Sequence, residues 1–143
     1  MKSVRQLLEG KGYNVWSIGP EAKVYAALEL MADKGVGALL VLEGDRIAGI
    51  ISERDYARKV VLKGRSAVDT PVKEIMTPKV VTVRPDQTLG DCMALMTDKH
   101  IRHLPVLEDD QLIGIISIGD VVKAVIFEQE LLIQQLENYI AGQ

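Results

Sequence analysis

Apolar residues recur along the chain with the spacing of helices in some segments and of strands in others. Val24, Ala27, Leu28 and Met31 lie three or four residues apart, so they share one face of a predicted α-helix. Two short apolar runs follow within residues 38–51, and the polar residues between them are typical of a turn. This segment is therefore predicted to form a helix followed by a β-hairpin.

The same pattern occurs a second time, 65 residues later. Residues 15–60 align with residues 80–125 without a gap, and 17 of the 46 pairs are identical. Each copy begins with a short apolar strand and a proline, which suits the turn into a helix because proline is disfavoured inside a strand. A second helix is predicted after each hairpin, starting at Ser52 or Ser117. We therefore predict an α/β (α+β) fold in which a β-α-β-β-α unit occurs twice.

The repeat divides the chain into five predicted parts. A unit of about 46 residues has only a marginal core of its own, so the two copies are expected to share one. The segment between them is expected to pack through Val68, Val72, Ile75 and Met76, and residues 124–140 are expected to form a helix with one apolar side. The parts are an N-terminal helical segment (1–14), repeat 1 (15–62), a linker (63–79), repeat 2 (80–127) and a C-terminal helix (128–143).

Composition narrows the class of protein. The chain has 143 residues, of which 48% are hydrophobic and 26% charged, and this balance is typical of a soluble globular protein. Its formal net charge of −3 argues against nucleic-acid or anionic-membrane binding by overall electrostatics. A single cysteine excludes an intrachain disulfide, and no apolar run reaches the roughly 20 residues of a membrane span. A cytoplasmic protein is expected.

Each second helix opens with the same Ser-x-x-Asp pattern. Ser52 and Asp55 occur in repeat 1, and Ser117 and Asp120 in repeat 2. One interpretation is a capping box, in which the Ser hydroxyl and the Asp carboxylate bond to backbone N–H groups of the first helical turn. The other is a ligand site, because free amides at a helix N-terminus bind anions and a nearby carboxylate accepts hydrogen bonds from a ribose diol. The two interpretations are compatible in different ligand states.

Basic residues distinguish the two copies. Arg102 and His103 in repeat 2 stand where repeat 1 has Gly37 and Ala38. Arginine suits bidentate phosphate contacts and the histidine adds a donor, whereas the alternative is a solvated strand edge.

Three further features have two interpretations each. Arg54, Arg58 and Lys59 form either a solvated helix face or a phosphate contact that compensates for the missing Arg-His pair. Cys92 lies on the apolar stripe of its helix, which favours a core residue over a nucleophile. Trp16 is either a core residue or the wall of a site for a planar ligand.

The common catalytic and nucleotide-loop motifs are absent from the sequence. There is no glycine-rich phosphate loop, no Gly-x-Gly-x-x-Gly and no His-Glu-x-x-His. A metal site of Asp98, His100 and His103 has no further His or Cys to complete a zinc shell. The protein is therefore predicted not to be an enzyme and to hold neither a metal ion nor a catalytic cofactor.

In combination, these motifs resemble a known family. Both copies contain Gly-Ile-Ile-Ser-x-x-Asp, the linker contains Met76-Thr77-Pro78, and the second copy contains His103-Leu104-Pro105-Val106. The pattern is similar to a tandem pair of CBS domains, also called a Bateman module, and covers about residues 15–126. The resemblance implies a pseudo-twofold module with clefts between the copies for adenosine-containing ligands such as AMP, ATP, NAD or S-adenosylmethionine.

The resemblance also implies which residues form two ligand sites. In such sites the helix-opening Asp holds the ribose hydroxyls, Ser and basic residues contact phosphate, and the leading strand contacts adenine largely through its backbone. The implied site in repeat 2 contains Thr82, Val83, Ile101, Arg102, His103, Ser117 and Asp120. The implied site in repeat 1 contains Ser17, Ile18, Val36, Ala38, Ser52, Arg54, Asp55, Arg58 and Lys59.

Two functions follow from the resemblance. The first is a regulatory sensor of AMP, ATP or NAD, acting through a ligand-biased conformation or through a separate protein target. The alternative is a ligand-free dimerisation or interaction module whose Ser-x-x-Asp patterns only cap helices. The family also implies a homodimer, in which the C-terminal helix can take part.

Overall fold

The computed structural model describes residues 2–142, so residues 1 and 143 of the predicted terminal segments lie outside the described part. The chain forms two compact units, each built around one repeat. The repeat-1 unit is the continuous segment Asn14–Val81. The repeat-2 unit combines the chain from Thr82 onward with the N-terminal segment up to Tyr13. The N-terminal segment therefore belongs with the second repeat and not with the first, which it precedes.

A three-stranded sheet forms the centre of the repeat-1 unit. β1 (Ser17–Ile18) pairs in parallel with β2 (Ala38–Glu43), which pairs antiparallel with β3 (Arg46–Ser52). β2 is the middle strand. The predicted hairpin is confirmed, since Glu43 pairs with Arg46 across a two-residue turn that begins at Gly44, whose φ is +63°. Positive φ at this position is typical of the tight turns that match the twist of a hairpin.

Helices cover this sheet. The first helix of the unit, Val24–Lys34, connects β1 to β2 (here α2, because α1 lies in the N-terminal segment). α3 (Glu53–Tyr56) follows β3 and continues as a π-helix over Ala57–Val61. The predicted linker contains a 3₁₀-helix at Val72–Glu74.

The repeat-2 unit has the same core elements. β4 (His103–Glu108) and β5 (Gln111–Ser117) form an antiparallel hairpin, and α4 (Leu89–Lys99) precedes them. α1 (Val4–Lys11) comes from the N-terminal segment, and α5 (Ile118–Ala141) follows β5 as one continuous helix. The predicted α/β fold with a repeated unit is thus confirmed, except that the leading strand predicted for repeat 2 is reduced to a single parallel bridge between Val83 and Val106.

The apolar stripes of the sequence form the cores of the two units. Val24, Ala27 and Met31 of α2 are buried, as predicted, and so are their equivalents Leu89, Cys92 and Met96 of α4. The core of repeat 1 also includes two linker residues, Val72 and Ile75. Val68, which was predicted to pack with them, is 59% exposed, so that part of the linker prediction is wrong.

The N-terminal segment and the linker occupy equivalent positions in the two units. Val4 N–H donates to the carbonyl of Gln87 at 2.8 Å, and Val72 N–H donates to that of Ala22 at the same distance. Ala22 and Gln87 are 65 residues apart, whereas Val4 and Val72 are 68 apart. The repeat therefore includes the segments upstream of both copies. The segment upstream of repeat 1 is separated from its copy by three more residues than the segment upstream of repeat 2.

α5 is long and mostly exposed. Among its residues that the structure describes, Val121 alone is buried. Its exposed apolar residues from Ile126 onward include Ile126, Leu132, Ile133, Leu136, Tyr139 and Ile140. Within residues 2–142, no helix combines the length and the apolar character needed to cross a membrane.

Candidate functional site

The two Ser-x-x-Asp patterns form complete capping boxes. In repeat 2 the backbone N–H of Asp120 donates to the Ser117 hydroxyl at 3.1 Å, and that of Ser117 donates to Oδ2 of Asp120 at 2.8 Å. In repeat 1 the corresponding distances between Ser52 and Asp55 are 3.1 and 2.9 Å. Both serines have the extended backbone of an N-cap. The capping interpretation is confirmed, and the carboxylates keep further acceptor positions for other donors.

The hairpin register brings His103 beside the capping box of repeat 2. His103 is paired with Ser117 across β4 and β5, and the N–H of Ile118 donates to the carbonyl of Arg102 at 2.8 Å. Burial and the positive charges of Lys11 and Arg102 lower the pKa of His103, against the opposing effect of Asp120. The imidazole is therefore favoured in its neutral form, with one nitrogen able to donate and the other able to accept.

Lys11, at the end of α1, reaches the same cluster. Its Nζ lies 2.6 Å from Oδ2 of Asp120 and donates to the carbonyl of Ile115 at 2.6 Å. Burial acts to raise the pKa of Asp120, but the hydrogen bonds from Lys11 and Ser117 outweigh it and hold that pKa below its ordinary value. Asp120 is thus held ionised as an acceptor, with its side chain 25% exposed.

Sequence reasoning missed Lys11 because it lies outside the 65-residue repeat. The signal that identifies it is the offset of 68, at which Lys11 aligns with Lys79 and Leu8 with Met76. Aligning the two upstream segments at this offset would have identified α1 as the equivalent of the linker, with Lys11 as part of it.

In repeat 1 the carboxylate of Asp55 has different partners. Nζ of Lys59 lies 3.0 Å from Oδ1 of Asp55 and also donates to the carbonyl of Ile75 at 3.0 Å. The hydroxyl of Thr77 donates to the same Oδ1 at 3.4 Å. From the sequence, Thr77 is identified only as part of the linker motif. It is therefore a second residue near the site that sequence reasoning missed. Ala38, paired with Ser52, provides no polar group where repeat 2 has His103.

The leading strands lie on the opposite side of the middle strand from the capping boxes. Ser17 pairs with Leu40, and Ile18 with Val41, two and three residues along β2 from Ala38. In repeat 2, Val83 forms a parallel bridge with Val106 of β4, and its N–H donates to the carbonyl of Pro105 at 3.0 Å. Thr82, beside Val83, is half-buried. The residues predicted to contact adenine therefore lie beside β2 in repeat 1 and beside β4 in repeat 2.

The remaining predicted residues are placed as follows. The N–H groups of Val36 and Ile101 donate to the carbonyls of Met31 and Met96, which closes the preceding helix at equivalent points in the two copies. Arg54 and Arg58 are exposed, as is Arg102.

Trp16 and Cys92 differ in burial. Trp16 is 38% exposed and its ring lies 4.5 Å from Nζ of Lys34, so Trp16 is not a core residue. Cys92 is fully buried, as the core interpretation predicted, and burial raises the pKa of its thiol to about 11. A thiol of this kind is a poor nucleophile.

One cavity of the repeat-2 unit involves part of the predicted site. It has a volume of about 540 Å³ and is lined by Thr82 and Val83 together with the ion pair of Arg5 and Glu108. Asp120 and His103 are not among its lining residues. Thr82 and Val83 of the predicted site thus line this cavity.

Metal binding receives no support from the described residues. Within residues 2–142, no group of three or more His, Cys, Asp or Glu side chains is placed to hold a metal ion. This includes the weaker alternative of Asp98, His100 and His103.

Comparison with known proteins identifies similar chains. The CBS domain family model matches residues 11–62 and 72–126. The chain is 48% identical over 124 residues to the CBS domain-containing protein CBSX3, mitochondrial, of Arabidopsis thaliana; the match covers 83% of this chain and 60% of that protein, so the chain spans less than two thirds of the plant protein's length.

Solved structures have the same fold. A protein with CBS domains from Burkholderia ambifaria MC40-6 superposes with a TM-score of 0.87 at 54% identity, covering 90% of this chain and 96% of that one. The CBS domain pair of protein MJ0100, in complex with 5'-methylthioadenosine and S-adenosyl-L-methionine, superposes with a TM-score of 0.79 at 19% identity, covering 90% and 98% of the two chains.

Proposed function

The chain belongs to the CBS domain family as a tandem pair, and from this premise we propose that it is a regulatory sensor that binds an adenosine-containing nucleotide such as AMP, ATP or NAD. The observation that carries the proposal is the cluster of Asp120, Ser117 and His103. It combines an ionised, partly exposed carboxylate with a neutral imidazole, and Arg102 is the neighbour of that imidazole in sequence.

Each residue of this cluster has a proposed role. The carboxylate of Asp120 accepts hydrogen bonds from the ribose diol, and the guanidinium of Arg102 binds phosphate in a bidentate manner. His103 adds a donor to the phosphate, and the leading segment, in which Thr82 is half-buried and Val83 is buried, contacts adenine with its backbone. Adenosine compounds are also the molecules found with the MJ0100 domain pair, and this supports them as the first probes to use.

The sensor acts by stabilising one conformation. A ligand shifts a conformational equilibrium only by the difference between its affinities for the two states. In this proposal the nucleotide-bound conformation either changes the assembly of the chain or binds a separate protein target. Binding occurs without turnover, and the single buried cysteine suits a reducing compartment, here proposed to be the cytoplasm.

The test is thermal unfolding with AMP, ATP and NAD. A nucleotide at about 100 times its Kd stabilises the native state by about 2.7 kcal/mol, which raises Tm by several degrees. Asp120→Asn is expected to abolish most of this rise. Asp91→Asn is the matched control, because Asp91 occupies the same capping-box position at the start of α4. An equal response of the two variants, or no response of the unmodified chain to any of the three nucleotides, would refute the proposal.

A second candidate function is a homodimeric interaction module that binds no nucleotide. The exposed apolar residues of α5 favour it, because Ile126, Ile133 and Ile140 recur every seven residues, as in helices that pair with another helix. A homodimer is part of both proposals. The two differ in the thermal response, which this second function predicts to be zero for every adenosine ligand.

A further inference from the structure

We infer that the two repeats have different roles, with the carboxylate of Asp120 receiving the ligand and that of Asp55 serving as a structural anchor, so that one chain binds one adenosine ligand. This inference rests on the proposed function and adds to it the number of ligands and the site that holds them. It depends on how many acceptor positions of each carboxylate are already occupied.

Every acceptor position of Asp55 is occupied. A carboxylate offers about four lone-pair positions, two on each oxygen. Oδ2 of Asp55 accepts from the N–H of Ser52 at 2.9 Å and from its hydroxyl at 3.1 Å. Oδ1 accepts from Thr77 at 3.4 Å and faces Nζ of Lys59 at 3.0 Å. A ribose diol would have to displace two of these donors before it could bind.

The carboxylate of Asp120 has fewer donors than that of Asp55. Its Oδ2 accepts from the N–H of Ser117 at 2.8 Å and faces Nζ of Lys11 at 2.6 Å, and the hydroxyl of Ser117 also donates to the carboxylate. Among residues 2–142, no donor equivalent to Thr77 contacts it, which leaves acceptor capacity for a diol. The exposed fractions agree with this difference, since the side chain of Asp120 is 25% exposed and that of Asp55 is 12% exposed.

At the aligned positions of repeat 2, both of these donors are replaced. Lys59 aligns with Ala124 at the offset of 65, and Thr77 aligns with Glu9 at the offset of 68. Lys11 supplies an ammonium beside Asp120 in place of Lys59, so the hydroxyl of Thr77 is the donor that repeat 2 lacks. The sequence itself therefore encodes the difference between the two carboxylates.

Thr77 is also held in place by the backbone. Its N–H donates to the carbonyl of Ile50 at 2.8 Å, and its own carbonyl accepts from the N–H of Ile50 at 2.9 Å. This two-bond bridge fixes the backbone of Thr77, which places its hydroxyl beside Asp55. In repeat 2 the carbonyl of Ile115, the equivalent of Ile50, is bound by the side chain of Lys11 instead.

The candidate phosphate-binding groups also differ between the two repeats. Repeat 2 has Arg102 and His103 ahead of its capping box, whereas repeat 1 has Gly37 and Ala38 there. Arg54 and Arg58 of repeat 1 are therefore assigned to the solvated surface in this inference.

The experiment is titration calorimetry of the full chain with AMP, with ATP in a parallel series. We expect one ligand per chain. Asp120→Asn is expected to weaken binding at least tenfold, whereas Asp55→Asn is expected to leave Kd and the stoichiometry unchanged within about twofold. Because removal of the buried Asp55 carboxylate affects folding, a second pair of surface variants is included. Arg102→Gln is expected to weaken AMP binding, and Arg54→Gln combined with Arg58→Gln is expected to leave it unchanged.

The outcomes separate this inference from the proposed function. Two ligands per chain, or loss of binding in the repeat-1 variants, overturns the inference and leaves nucleotide sensing intact. No heat of binding with AMP, ATP or NAD, each titrated in the same way and checked by equilibrium dialysis, overturns the proposed function and this inference with it.

Discussion

Gly49 lies so close to Thr77 that a Cβ at position 49 would be 2.7 Å from the carbonyl oxygen of Thr77. The equivalent glycine of repeat 2, Gly114, instead faces a side chain, since its Cβ would be 2.8 Å from Cδ2 of Leu8. Both glycines are thus required because an upstream segment approaches them closely. The neighbour of Gly49 is a backbone carbonyl, whereas that of Gly114 is a side chain that can rotate.

Substitution of Gly49 and of Gly114 by alanine is predicted to lower the free energy of unfolding by unequal amounts. Overpacking costs typically about 1–3 kcal/mol. Gly49→Ala is expected at the upper end, because the Thr77 carbonyl is fixed by the N–H of Ile50 and cannot move away. Gly114→Ala is expected at the lower end, because the methyl groups of Leu8 can rotate. Urea unfolding of both variants measures the difference, and a larger loss for Gly114→Ala would contradict the explanation.

A threonine at position 23 is predicted to stabilise the protein. α4 begins with a capping box in which Thr88 accepts from the N–H of Asp91. The N-cap residue of α2 is Lys23, which makes no side-chain capping bond although its φ of −80° and ψ of 150° suit an N-cap. Lys23→Thr should raise the free energy of unfolding by about 1 kcal/mol, the typical value of an N-cap.

The reciprocal variant serves as the control for this prediction. Thr88→Ala is expected to lower the free energy of unfolding by about the same 1 kcal/mol. If Thr88→Ala has that effect and Lys23→Thr has none, the start of α2 does not accept a cap.

The stability of the protein is predicted to fall as the pH drops below about 6.5, the ordinary pKa of histidine. Burial and the charges of Lys11 and Arg102 lower the pKa of His103, so between that lowered pKa and 6.5 the unfolded chain binds more protons than the native one. The free energy of unfolding therefore rises with pH in this window. Urea unfolding on both sides of pH 6.5 detects the slope.

Lys11→Met is predicted to raise the pKa of His103. The substitution removes a positive charge and leaves the carboxylate of Asp120 to act on the imidazole without it. An NMR titration of the His103 ring measures the pKa directly, and an unchanged value would show that Lys11 does not occupy the position beside Asp120 in solution.

Cys92 is predicted to be nearly inert toward thiol reagents in the native protein. Burial, with a smaller effect of the Asp91 charge, raises its pKa to about 11. At pH 8 the ionised fraction is then on the order of 1 in 1,000, and the reagent must also reach a fully buried sulfur. Alkylation followed by mass spectrometry should be slow in buffer and fast in urea. Rapid alkylation in buffer would contradict the burial of Cys92.

The proposed homodimer is predicted to depend on α5. Leu132→Asp combined with Leu136→Asp places two charges in the exposed apolar stripe and should convert a dimer to a monomer in light scattering. Leu131→Asp is the matched control, because Leu131 is also exposed but lies on the opposite side of the helix. A monomer for the unmodified chain, or an equal effect of the control, would exclude this interface.

Most local structure could be predicted from the sequence. The offset of 65 located both hairpins, and the Ser-x-x-Asp patterns located both capping boxes, because these features depend on residues that are close together in the chain. The contact between Lys11 and Asp120 spans more than a hundred residues and depends on which repeat α1 packs against, which periodicity does not specify. The π-helix at Ala57–Val61 was likewise not predicted, because its apolar spacing does not differ clearly from that of an α-helix.

The placement of α1 has a consequence for synthesis of the protein. All of the repeat-1 unit, Asn14–Val81, leaves the ribosome before most of the repeat-2 unit is made. Domains generally fold as units during translation. Val4, Leu7 and Leu8 of α1 therefore lack the core that buries them until the repeat-1 unit and the residues of repeat 2 have been added. α1 is translated before repeat 1 but packs only after repeat 2 has been made.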